Sequence, residues 1–120
     1  MCIRDRYTEQ LLAAAANTIE PGFREAVAKR VVSFEPNARL VLTKVELGEA
    51  DAAVVYASDT TRRHNVAAVP IPAAINVTVN YHAAVATASR HPRLAEAWID
   101  YIASEPGRAH LVRHGFSTPP

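Results

Sequence analysis

At 120 residues the chain is long enough for one domain with its own core and too short for two full-sized lobes. Apolar residues make up 49% and charged residues 21%, with a net charge of +1, a balance of globular proteins that gives no electrostatic case for nucleic acid or an anionic membrane. No run of about 18 apolar residues is present to span a bilayer, and the single cysteine, Cys2, excludes an internal disulfide.

Met1 to Arg6 has neither the apolar core nor the cleavage site of a secretory signal. From Tyr7 to Ala16 the pattern predicts a helix, with Tyr7, Leu11, Leu12 and Ala15 on one side and an alanine run that favours it. Asn17 to Pro21 breaks it, and Pro21 suits the first turn of a second helix reaching Lys29, with Phe23, Ala26 and Val27 inward. Arg30 to Phe34 reads as a strand that stops before Glu35-Pro36. Asn37 is a good N-cap for a third helix, in which Ala38, Val41, Leu42 and Val45 share one face and Gly48 supplies the stop.

Ala52 to Val55 is wholly apolar and reads as a short strand buried on both faces, with Tyr56 at its C-terminal end. Thr60 to Asn65 is a solvated loop or a single helical turn, and Val66 to Ile71 a short strand stopped by Pro70 and Pro72. The alternation of helices and strands predicts an α/β fold with a parallel sheet and right-handed crossovers. Val77, Val79, Tyr81, Ala83 and Val85 then recur with a period of two, which predicts a long strand able to cross between lobes or to form one edge of a sheet. Pro92 opens a helix with a stripe of Leu94, Trp98, Tyr101 and Ile102, and Glu105-Pro106-Gly107 opens another that runs to His114 and is closed by Gly115. Pro119-Pro120 is expected to be a frayed tail.

The helix opened by Asn37 aims free backbone N–H groups and a positive dipole end outward, which suits an anion without any cationic side chain. Tyr56, at the carboxyl end of a predicted strand, is either a hydrogen-bond donor into a cleft or part of the core. Other constellations are weaker. His110 and His114 share a helix face but have no third metal ligand, and Ser58-Asp59 with His64 is too local to form a catalytic relay. Arg62, Arg63 and His64 are adjacent and cannot all face one point, so they read as solvated rather than as an anion clamp. Asn76-Val77-Thr78 fits a glycosylation acceptor but lies inside a predicted strand.

The run from Gly48 to Asp59 resembles the GEADAGxVYxSD segment of periplasmic molybdate-binding proteins, the solute receptors of molybdate ABC transporters. Asn80 to Val85 is similar to their "YPIAV" strand, Leu94 to Ile102 to their "AxAFIDFL", and Ser104-Glu105-Pro106-Gly107 through Gly115-Phe116 to their closing "SPEGQ…GF". The resemblance implies the C-terminal part of a two-lobed type II periplasmic binding fold, a mostly parallel sheet flanked by helices. On that expectation residues 1–6 are a foreign or truncated end, 7–76 belong to the second lobe, 77–87 form a crossing strand and hinge, and 88–120 are helices that pack on a missing N-terminal lobe.

The same resemblance implies a non-enzymatic receptor that holds molybdate or tungstate as an oxyanion, with no cofactor, no catalytic residue and no protein-ligated metal. It assigns the backbone N–H of Ala38 and the phenol of Tyr56 as oxyanion donors, supported by Asn37, Ser58 and Asp59. Its partner is the permease of the transporter, its location the periplasm or cell envelope, and nucleic acid is not among its ligands. Two alternatives stay open: a ligand-sensing effector domain of a transcriptional regulator with the same fold, and a sulfate-type anion receptor. His82 and Ala53 stand where the family usually has proline and glycine, and Ile3 to Arg6 where it has a Pro-Ala-Gly donor segment.

Overall fold

The computed structural model describes residues 3–61 and 63–117 and divides into two compact units, Met1–Thr78 and Val79–Pro120. Among the described residues the first unit carries four helices: α1 (Ile3–Thr18), α2 (Phe23–Ala28), α3 (Ala38–Glu46) and α4 (Ala57–Thr60). Its buried apolar side chains are Leu11, Leu12, Ala15, Leu42 and Ile75. Three of these come from the face predicted for the first helix, because residues three and four apart stack on one side. That helix starts earlier than the tyrosine that opens the pattern, and places Asp5 in its first turn, where a carboxylate meets the positive end of the dipole.

α1 packs on α2, and their outer edges are joined by Arg24, whose guanidinium donates to Glu9 at 2.8 Å. Both side chains are about half exposed, so this pair adds little. α3 ends in a Schellman motif: Glu49 N–H donates to Lys44 C=O at 2.8 Å and Gly48 N–H to Val45 C=O at 3.0 Å. Gly48 sits at φ 71, the left-handed geometry this closure requires.

No strand occurs among the described residues, which overturns the expected parallel sheet. The segments 31–35, 52–56, 67–72 and 76–86 follow the predicted apolar runs and lie between the helices and turns, but no ladder joins them. Apolar alternation marks which side chains share a face; it does not supply a hydrogen-bonding neighbour. Pro70 and Pro72 make this concrete, since residues two apart point their N–H groups to the same edge and both donors are missing there. Immediately afterwards the N–H groups of Ile75 and Asn76 both donate to Pro72 C=O at 3.0 Å, folding the chain into a turn that buries Ile75. Val32 and Phe34 are each 74% exposed, so the Arg30 to Phe34 run is not a core strand either.

The second unit is a helical hairpin, α5 (Pro92–Ala103) and α6 (Glu105–Arg113), preceded by extended chain. Ser104 alone joins the two helices. Its hydroxyl accepts from Gly107 N–H at 3.4 Å, capping α6, and donates to Tyr101 C=O at 2.5 Å, closing α5. Gly115, at φ 80, ends α6 in a second Schellman motif, with Phe116 N–H donating to Leu111 C=O at 3.1 Å. The predicted α5 stripe is present but turned outward: Leu94 is 70%, Trp98 59% and Tyr101 51% exposed.

Candidate functional site

Asn37 has the extended backbone of an N-cap, φ −150 and ψ 161, and its Oδ1 accepts from Leu40 N–H at 3.0 Å. Its carbonyl accepts from Val41 N–H at 3.4 Å. The N–H groups of Ala38 and Arg39 lie in the first turn, before the intrahelical ladder begins. Ala38 is half-buried and Asn37 exposed, so the helix start lies at the protein surface.

Tyr56 is also a cap. Its N–H donates to Asp59 Oδ2 at 3.2 Å, and Asp59 N–H donates to Tyr56 C=O at 2.9 Å. The two bonds lock Tyr56, Ser58 and Asp59 into one turn, all three half-buried. Further local bonds continue it: Thr60 Oγ1 donates to Ala57 C=O at 2.8 Å, Thr61 Oγ1 to Ser58 C=O at 3.1 Å, and Arg63 N–H to Thr60 C=O at 3.1 Å. α4 packs on α3, the two helices that Tyr56 and Asn37 cap.

Sequence reasoning missed the group that crosses between them. Arg63 is ion-paired: its Nη1 donates to both carboxylate oxygens of Glu46, at 3.1 and 3.3 Å. The Glu46 side chain is only 19% exposed and that of Arg63 33%. A signal was available, because a glutamate in the last turn of α3 faces the negative end of the dipole and calls for a cation. Glu46 engages Arg63 through Nη1, and Arg62 lies outside the described residues. Lys44, on the same last turn, pairs with Glu49, whose hydrogen bond and charge raise the lysine above its ordinary 10.5.

Among the described residues no three His, Cys, Asp or Glu side chains converge as a metal site. His110 Nδ1 instead faces Arg113 Nη2 at 3.1 Å. No described helix is long and apolar enough to cross a membrane.

A family model described as bacterial extracellular solute-binding protein matches residues 5–117. The chain belongs to that family. Over 89 residues, 73% of this chain, it is 36% identical to the molybdate-binding protein ModA of Mycobacterium bovis, and equally to the ModA of two strains of Mycobacterium tuberculosis. The match covers 34% of each relative, so the chain spans about a third of the length of the curated relatives it matches. No solved structure matches the chain. Membership of a solute-binding family agrees with a binding rather than a catalytic role, and with the extracellular setting in the family's description.

Proposed function

We propose that this chain is the ligand-binding part of a periplasmic or cell-envelope receptor that takes up molybdate, or the similar dianion tungstate, and delivers it to the permease of an ABC transporter. The observation that carries the reading is the 36% identity to proteins named as molybdate-binding. The chemistry of α3 and α4 supports it. A fully ionised tetrahedral dianion only accepts hydrogen bonds, so a site built of donors suits it, whereas a protonated phosphate needs an acceptor. Ala38 N–H donates to one oxygen and the Tyr56 phenol to another. Asn37 holds the helix start, while Ser58 and Asp59 hold the turn that carries the phenol.

Both donors are uncharged, in keeping with the engagement of Arg63 by Glu46. Discrimination from sulfate then rests on the larger size of molybdate and tungstate rather than on charge. Because the match covers 34% of each relative, the remaining donors come from outside these residues, and this chain alone binds more weakly than the submicromolar range.

The test is a titration of the isotopically labelled chain with molybdate, tungstate, sulfate and phosphate at matched ionic strength, followed by amide shifts and calorimetry. Saturable shifts at Ala38 and around Tyr56 with molybdate and tungstate, weakened by Tyr56→Phe, support the proposal. Shifts of equal size for all four anions, scattered over exposed lysines and arginines, refute it.

A further inference from the structure

We infer that the Glu46–Arg63 ion pair is a positioning latch, which fixes the Tyr56 turn against α3 so that the phenol and the α3 start keep one geometry. The inference rests on the oxyanion reading and deepens it, because neither residue is among the proposed donors.

The covalent route between the two elements is a poor ruler. From Asp51 to Val55 the chain is free of helix and ladder, so its torsions set no fixed distance between Gly48 and Tyr56. The block from Tyr56 to Thr61 is different, since the Tyr56–Asp59 bonds and the Thr60 and Thr61 hydroxyls tie it into one piece. Arg63 is joined to that piece by its N–H to Thr60 C=O, so where its guanidinium is held, the block is held.

The holding point is sheltered. Glu46 is mostly removed from water and sits at the unfavourable end of the α3 dipole, so separating it from Arg63 leaves a partly desolvated carboxylate without compensation. Both carboxylate oxygens of Glu46 lie within hydrogen-bond reach of Arg63 Nη1, so the carboxylate is held by two charge-assisted contacts.

The latch separates from a plain field effect by sign. If these residues acted on the anion only through charge, Arg63→Gln would weaken binding and Glu46→Gln would strengthen it. A latch is broken from either side, so both variants weaken molybdate binding, by about tenfold each for a half-sheltered pair. Reversing both charges, Glu46→Arg with Arg63→Glu, restores binding to within about threefold, since the pair is remade and α3 gains a cation at its C-terminal end.

The experiment uses the full labelled chain with molybdate as probe, reading the Ala38 and Ala57 amide shifts for affinity and hydrogen exchange at Ala57 to Thr61 for the hold on the block. Exchange along α1 reports whether each variant is folded. Weakening in both single variants, faster exchange confined to the block, and recovery in the charge-reversed double variant support the latch. Opposite effects of the two single variants, or wild-type affinity in both, overturn it while leaving the oxyanion reading intact. A wild-type chain whose Ala38 and Tyr56 region ignores molybdate overturns that reading and the latch with it.

Discussion

The rings of Tyr81 and Phe116 meet edge to face, their centroids 5.7 Å apart and their planes at 78°. Phe116 is placed by the Schellman closure of α6, and Tyr81 belongs to the extended chain ahead of α5, so one aromatic contact ties that segment to the helical hairpin. The positive ring edge on the negative ring face adds about 0.5–1.5 kcal/mol beyond area burial. Phe116→Ala is therefore expected to lower stability by about 2 kcal/mol with its lost apolar contact included, and Phe116→Leu by less. Urea unfolding with near-ultraviolet circular dichroism measures both, and an unchanged midpoint in Phe116→Ala would show that the pair holds nothing.

Two glycines separate steric from conformational demand. A Cβ on Gly107 would lie 2.7 Å from Ile102 C=O and closer still to Tyr101 C=O, both backbone atoms that no rotamer change can move. Gly107→Ala must therefore part α5 from α6, at a cost of roughly 1–3 kcal/mol or more. At Gly48 nothing lies within 4 Å of the added carbon, but φ is 71. Gly48→Ala is expected to cost about 1–2 kcal/mol through the backbone alone, and Gly48→Asn less, because asparagine tolerates that region. Thermal unfolding of the three variants gives the order, and equal losses for both alanine variants contradict the distinction.

The helices were readable because their ends are local. Asn37, Pro92, Gly48 and Gly115 each act on backbone groups within a few residues, so a short window of sequence contains the whole interaction. The sheet was misread because a strand is completed by a partner remote in sequence, and the alternation from Val77 to Val85 carries no information about that partner. The same limit applies at the site. The Asn37 cap was visible, whereas Glu46 and Arg63 stand 17 residues apart and were placed on opposite sides of an expected strand. The apolar run that ends at Tyr56 is not the strand expected there, and the turn that follows is closed by Asp59 rather than by a sheet edge.

The Lys44–Glu49 pair gives the end of α3 a pH response. The carboxylate of Glu49 raises Lys44 above its ordinary 10.5, so folding favours the protonated lysine. The resulting stability is fully present below 10.5 and is lost as pH rises through the higher folded-state value. Lys44→Gln is expected to remove this dependence while leaving the Schellman bonds in place, since those are made by backbone groups. Hydrogen exchange cannot be compared cleanly at such pH, so circular dichroism of unfolding between pH 9 and 12 is the measurement. A wild-type chain and a Lys44→Gln variant with parallel profiles contradict the assignment.

Asn37 allows stability and ligand affinity to be driven in opposite directions. Its amide oxygen caps α3 through Leu40 N–H, and Asn37→Ala removes that bond at a cost of about 1 kcal/mol. Asn37→Asp keeps an acceptor of the same size and adds a negative charge at the positive end of the helix, which favours the folded chain by a few tenths of a kcal/mol up to about 1. If the oxyanion docks at the first turn of α3, that same charge repels a dianion from Ala38 N–H. The expected outcome is a chain that melts at or above the wild-type temperature yet loses molybdate-induced shifts at Ala38. An Asn37→Asp variant that binds molybdate as the wild type does, at low ionic strength where the repulsion is least screened, places the anion elsewhere and removes Ala38 from the site.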